Sequence, residues 1–272
     1  MIRSSIIITA MLCIAWSSLS AQEQPIARQP VTTSIVGTPT RLAMAVENVF
    51  TSMAWYARLG FSPLSTYSTK PDSIMYLTDG QVAISLVRTT MPSPVLYFRA
   101  QNMKAVMDTL KALAIATTYD VRGPSFGEIR FRSPGGVFCA VRPADDEPAV
   151  NATVHENTVC GRNTEWSIGV DRLAHEKNFW HALGFTVRRE ANEPYPFTIV
   201  SDGIVSIGLH EQRDIPTLAI TYFATDMEAR IDRLKKSGIT FEEEIPSPDN
   251  RISNAILKST DGQLIFMFEG VQ

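Results

Sequence analysis

Trp55-Tyr56-Ala57-Arg58-Leu59-Gly60-Phe61 returns, one residue shorter, as Trp180-His181-Ala182-Leu183-Gly184-Phe185. Each copy follows an apolar, strand-like run (residues 42–46 and 166–170) and a polar, helix-like segment. Each precedes a hairpin signal, Leu77-Thr78-Asp79-Gly80 in the first case and Val200-Ser201-Asp202-Gly203 in the second. An internal repeat of this kind dictates architecture before any single element does. The spacing is regular: Gly60 to Gly184 is 124 residues (60 to 184), and so is Asn102 to Asp226 (102 to 226). Within each half the helix caps lie 54 apart (48 to 102, and 172 to 226). Four copies of one βαβββ-like unit, paired into two domains, follow from this spacing.

Taken in order, structure is expected to begin at residue 41 with a strand to 46, followed by a helix capped by Asn48. Val49, Met53, Tyr56 and Leu59 recur there at helical spacing, and Gly60 stops the helix. Strands at 74–78 and 82–88 close the first unit. The second unit runs through a strand at 95–100, a cap at Asn102, a helix at 103–113, and a hairpin around Pro134-Gly135-Gly136. The order is then copied, with strands at 165–170, 197–200, 204–210, 218–224, 255–258 and 264–268. Helices are expected at 173–183 and 227–236, the latter capped by Asp226 and ended by Gly238.

The composition is that of an ordinary globular chain: 272 residues, 25 basic against 28 acidic, net charge -3. No basic footprint for nucleic acid and no polybasic membrane patch is present. Residues 1–21 carry the three-part pattern of a secretory signal peptide: Arg3, an almost wholly apolar run from Ile6 to Trp16, and small residues to Ala21. A secreted or periplasmic protein, with no membrane attachment after cleavage, is the expectation. Residues 22–39 read as a flexible segment, 40–143 as the first domain, 144–163 as a linker, and 164–272 as the second domain. Cleavage at residue 21 leaves Cys139 and Cys160. These could pair across the domains in an oxidising compartment, or stay as a buried small residue and a linker thiol.

A strand, a capped helix ending in aromatic-x-x-Leu-Gly-Phe, and a hairpin closed on Asp-Gly resembles the vicinal oxygen chelate superfamily. That superfamily includes glyoxalase I, fosfomycin- and bleomycin-resistance proteins, and extradiol dioxygenases. Trp55 to Phe61, Trp180 to Phe185 and Ser259-Thr260-Asp261-Gly262-Gln263 carry the resemblance, which covers residues 41–142 and 165–269. It implies an α+β fold of tandem domains, each with two βαβββ units curving a mixed sheet into a cup with helices outside. It also implies a divalent metal held by a His on the first strand, a His or equivalent on the first strand of the next unit, and a Glu on the last strand. Counted from the caps and closing hairpins, these positions fall on Arg41, Val95 and Ala140, and on Glu165, Ala219 and Phe266. Only Glu165 among them can ligate a metal. His155, His175, His181 and His210 lie elsewhere and read as exposed polar positions.

If the family's strand phase applies, alternate residues face each cup. The candidate ligand-binding residues are then Arg41, Tyr97, Arg130 and Phe138 in the first cup. In the second they are Glu165, Thr221, Phe223, Asn254, Phe266 and Phe268. No nucleophile elbow or phosphate loop is present. The expected function is that of an exported, cofactor-free binding protein taking a small molecule, as the bleomycin-resistance branch does. The alternatives are a metal-dependent lyase, isomerase or dioxygenase with an atypical site around Glu165, and a protein-interaction scaffold. Four units in one chain supply what many relatives assemble by dimerising, so a monomer with pseudo-dimeric domains is expected.

Overall fold

The structure, a computed structural model, describes residues 34–64, 72–146 and 158–270. The expected signal peptide, Cys13 and His155 lie outside the described residues. In the first domain the order is β1 (Thr38–Val46), α1 (Val49–Arg58), β2 (Ser62–Pro63), β3 (Ile74–Thr78) and β4 (Ala83–Arg88). The second unit is β5 (Val95–Ala100), α2 (Met103–Ala112), β6 (Thr117–Arg122), β7 (Ser125–Arg132) and β8 (Phe138–Pro143). The second domain repeats this as β9 (Arg162–Gly169), α3 (Leu173–Ala182), β10 (Thr186–Ala191), β11 (Phe197–Ser201) and β12 (Ser206–His210). It ends with β13 (Ala219–Ala224), α4 (Met227–Lys236), β14 (Glu243–Pro246), β15 (Ile252–Lys258) and β16 (Leu264–Glu269).

The two eight-stranded sheets have one topology. Their orders are β2-β3-β4-β1-β5-β8-β7-β6 and β10-β11-β12-β9-β13-β16-β15-β14. In each, the first strand of one unit runs antiparallel beside the first strand of the other, β1 with β5 and β9 with β13. Each of these pairs in parallel with the last strand of its own unit. The chain is thus α+β, with two tandem domains of paired βαβββ units.

Local chemistry explains the helix ends. Asn48 Oδ1 accepts the N–H groups of Phe50 and Thr51, and Asn102 Oδ1 accepts that of Ala105. Asp226 occupies the N-cap position of α4 but makes no cap bond, because its carboxylate is held by Arg230 Nε at 2.6 Å. Gly60 and Gly184 follow α1 and α3 at φ +91° and +93°, the left-handed region where a Cβ would be strained.

Three boundaries differ from expectation. Order begins before residue 41: Val36 is buried, β1 starts at Thr38, and Ser34 Oγ and the Ile35 N–H both donate to the Leu183 carbonyl of the other domain. The end of the expected linker is also structured, with Thr158 and Cys160 buried and β9 starting at Arg162. Each unit has one strand more than could be read, at the sheet edges: β2, β6, β10 and β14.

The helices pack on the face of each sheet opposite the cup, and the two helical layers share one core. A single buried cluster includes Leu42, Trp55 and Leu96 of the first domain with Trp180, Tyr222 and Met267 of the second. Polar groups join the halves as well: the Tyr222 hydroxyl donates to Asp79 Oδ2 at 2.7 Å, and Ser52 Oγ donates to Asp261 Oδ2 at 2.5 Å. Glu176 on α3 accepts the Gly135 N–H of the first domain and Trp180 Nε1–H at 2.8 Å. Cys139 and Cys160 are both free and buried, so the pairing held open above is not formed. Cys139 lies near Glu176 and Cys160 near Asp79 and Arg230, and burial pushes both thiols up.

Candidate functional site

The two cups share a backbone and differ in what fills them. In the first, Arg41 projects from β1 and is buried, at 2% exposure. Its Nε donates to Ser85 Oγ at 2.9 Å, and its guanidinium carbon lies 4.0 Å from the Tyr97 ring centroid and 5.2 Å from that of Tyr76. Burial lowers its pKa to about 10, against the opposing influence of the two tyrosines. Around it, Glu128 Oε1 accepts from Arg130 Nε at 2.5 Å, and Glu128 Oε2 accepts from the Tyr97 hydroxyl at 3.4 Å. Arg142 Nε stands 3.9 Å from the same carboxylate. Burial, and then Glu128, push the Tyr97 phenol up. The arginines of this cup, Arg41 and Arg130 among the ligand-binding candidates, are therefore already engaged with Glu128 and the tyrosines. Phe138 lies apart from them, beneath the Arg132 guanidinium at 4.6 Å.

In the second cup the space is open. A cavity of about 390 Å³ is lined by all six residues expected there: Glu165, Thr221, Phe223, Asn254, Phe266 and Phe268. The ladder explains the grouping, since Glu165 on β9 lies opposite Thr221 on β13, which lies beside Phe266 on β16. Ser167 Oγ donates to Glu165 Oε1 at 2.7 Å and sits 2.7 Å from Thr221 Oγ1. Having one proton, Ser167 uses it on the carboxylate, so Thr221 donates to Ser167. His210 Nε2 meets the same Glu165 oxygen at 2.9 Å. The floor is therefore a continuous hydrogen-bonded chain, Thr221 to Ser167 to Glu165 to His210.

His210 corrects the sequence expectation of an exposed polar position. It is buried at the end of β12, stacked on Phe197 with ring centroids 5.8 Å apart and edge-on to Tyr195 at 5.8 Å. Its Nδ1 is buried without a hydrogen-bond partner among the described residues. Gly208, two residues earlier, makes the niche for the carboxylate. A Cβ there would stand 2.3 Å from Glu165 Oε1 and 2.5 Å from Cδ. Tyr195, Phe197 and Ile215 complete the wall and were not foreseen. They sit in or beside loops whose path across the mouth depends on tertiary packing. The only local signal was the aromatic run Tyr195-Pro196-Phe197.

The pairing also corrects the counted metal positions. Val95 lies opposite Ala43 and Ala219 opposite Ser167, so the residues in register with Arg41 and Glu165 are Tyr97 and Thr221. The three facing positions are Arg41, Tyr97 and Ala140 in one cup and Glu165, Thr221 and Phe266 in the other. Neither set fits a divalent ion wanting three imidazole or carboxylate ligands. Adding His210 makes two such groups. Among the described residues no three His, Cys, Asp or Glu side chains come together.

No protein-family model matches the sequence, and no curated protein matches it. Solved structures do. Homoprotocatechuate 2,3-dioxygenase from Brevibacterium fuscum, as its E323L mutant, superposes with a TM-score of 0.61 at 13% identity, covering 91% of this chain and 74% of that one. The Mn(II)-bound glyoxalase from Novosphingobium aromaticivorans gives 0.60 at 16% identity over 88% of this chain and 84% of that one. The halotolerant catechol dioxygenase BphC gives 0.55 at 12% identity over 88% of each chain. At these identities the likeness is one of fold. With its two eight-stranded mixed sheets of one topology, this chain has the vicinal oxygen chelate fold in tandem.

Proposed function

We propose that the protein binds a small organic molecule in its second cup, outside the cytoplasm, without a metal of the kind the fold's enzymes carry. The observation supporting this is the contrast between the cups. The first is occupied by the Arg41 guanidinium and its tyrosines, whereas the second keeps about 390 Å³ between aromatic walls and a polar floor. That volume lies within the roughly 300–1,000 Å³ of small-molecule sites, which pair apolar walls with a few polar groups. The metal-free reading is supported by the donor set, since Phe266 and Thr221 stand where two ligands are needed. The N-terminal pattern supports export. In this reading Phe223, Phe266 and Phe268 desolvate the ligand's apolar body, and the chain ending at Glu165 and His210 orients its polar end.

A thermal-shift screen of the purified protein against small organic molecules tests this, with hits repeated on Thr221→Trp, which fills the cup. Hits lost in that variant are expected. Hits that persist in it, or an absence of hits, would overturn the proposal. Near-stoichiometric retention of a metal that Glu165→Ala abolishes would overturn its metal-free part. A second reading is favoured by the 2.9 Å carboxylate–imidazole pair, an arrangement that can move a proton. Turnover of a bound hit that His210→Ala abolishes without loss of binding would establish it.

A further inference from the structure

We infer that the second cup selects an organic cation: a protonated amine or quaternary ammonium carried on an aromatic or compact apolar body. This rests on the proposal that the cup binds a small molecule, and adds which charge it takes. Three independent features of the cavity carry the inference.

The first is charge. Among the described residues three carboxylates line the cavity, Glu165 at the floor and Asp249 and Glu269 at the rim, against one guanidinium, that of Arg251. Arg251 is itself surrounded by acid, with Asp249 at 2.6 Å, Glu228 at 3.2 Å and Glu269 at 3.6 Å. Among the described residues no lysine lines the space. A low-dielectric recess with this excess concentrates cations and repels anions. The first cup has the opposite balance, three arginines around Glu128.

The second is the wall. Phe223, Phe266 and Phe268 form one surface of tilted rings, with centroids 5.7 Å apart in both pairs. Ring faces carry negative quadrupole density and attract ammonium groups, most strongly where water is excluded. Phe266 is two strands from Glu165, about 10 Å by sheet spacing. A cation on a ring-sized body can therefore meet the carboxylate and the ring faces together.

The third is the direction of the hydrogen bonds. The hydroxyl protons of Thr221 and Ser167 point along the chain toward Glu165. His210 Nε2 meets the same carboxylate at 2.9 Å, and its Nδ1 is buried without a hydrogen-bond partner among the described residues. The floor is rich in acceptors, with its donors spent internally. A donor-rich ligand satisfies it; a carboxylate or phosphate does not.

The test is calorimetric titration of the whole protein with three probes of one size: 2-phenylethylammonium, 2-phenylethanol and phenylacetate. The ammonium should bind about 10-fold tighter than the alcohol, and phenylacetate most weakly. Glu165→Gln should remove most of that preference. Because Glu165 is buried, a rim variant, Asp249→Asn with Glu269→Gln, provides a second measure. It should weaken the ammonium several-fold more than the alcohol and leave the fold intact. Alcohol or phenylacetate binding as tightly as the ammonium would overturn the inference while leaving small-molecule binding in place. Failure of all three probes to bind would overturn the inference and count against the binding proposal itself.

Discussion

Gly208→Ala is the most direct probe of how the floor of the second cup is built. The added methyl carbon would stand 2.3, 2.5 and 2.7 Å from Glu165 Oε1, Cδ and Oε2, all inside the 3.0 Å that real Cβ atoms respect. The carboxylate must therefore leave its niche between β9 and β12. In leaving, it loses the bonds from Ser167 at 2.7 Å and His210 at 2.9 Å. Each hydrogen bond to a charged group contributes roughly 1.5–3 kcal/mol, and overpacking a buried site adds about 1–3 kcal/mol. Since the carboxylate can find partial replacements, a net loss of about 3 kcal/mol is expected. The clash is with one side chain, so it can be isolated. In a Glu165→Ala background the same glycine substitution should cost less than about 1 kcal/mol, a coupling of about 2 kcal/mol. Urea denaturation of the four proteins, followed by circular dichroism, measures that coupling. Additive costs within about 0.5 kcal/mol would refute the idea that Gly208 exists to seat Glu165.

Arg41→Met should lie within about 1 kcal/mol of the native protein, because a buried cation can be exchanged for apolar volume at little cost. Arg41→Ala, which empties the first cup, should cost about 2–4 kcal/mol; equal losses for the two would show that the charge, and not the volume, is needed. Glu176→Gln should destabilise by about 1–3 kcal/mol, since both carboxylate oxygens accept and an amide would aim a donor at Gly135 or Trp180. Burial raises the folded pKa of Glu176 despite those bonds, so its protonated form is favoured in the fold. The stability this contributes is present below the ordinary value of 4.5 and lost as pH rises through the raised value. Glu176→Gln should flatten that slope, which denaturation across pH reads directly. Neither Cys139 nor Cys160 should react with a thiol reagent in the folded protein, both being essentially unexposed. Unfolding should release two thiols from exported material, and three if Cys13 is retained, so the count also tests export.

The repeat in the sequence was enough to fix four units, their order and their helix ends, because those features rest on local chemistry. Asn48 and Asn102 cap, Gly60 and Gly184 terminate, and Asp79-Gly80 and Asp202-Gly203 turn, wherever they occur. The edge strands were invisible for a matching reason. Thr186–Ala191 is largely exposed on both faces, so it has no apolar alternation to read. Register was the main loss. Antiparallel pairing sets Tyr97 opposite Arg41 and Thr221 opposite Glu165, and counting along one strand from a helix cap says nothing about which residue of the neighbouring strand it meets. His210 was misjudged because its burial comes from Phe197 and Tyr195, which reach it across a hairpin and a loop. The apolar second cup was legible because β16 is apolar on both faces, so either phase of the strand brings apolar side chains to the cup. That the first cup's arginines are engaged by Glu128 and the tyrosines is a matter of side-chain reach, which no spacing encodes.

The core shared by the two helical layers has a consequence for resistance to proteolysis. With Trp55 and Trp180 in one buried cluster, and Tyr222 bonded to Asp79 across the halves, the helical layers of the two domains share one interior. Opening one exposes the other, so the chain should melt as a single cooperative unit. An occupant of the second cup then protects residues far from it, by an amount set only by its concentration relative to its affinity. The first domain, whose own cup is filled by Arg41, would owe its resistance to proteases to a molecule it never touches.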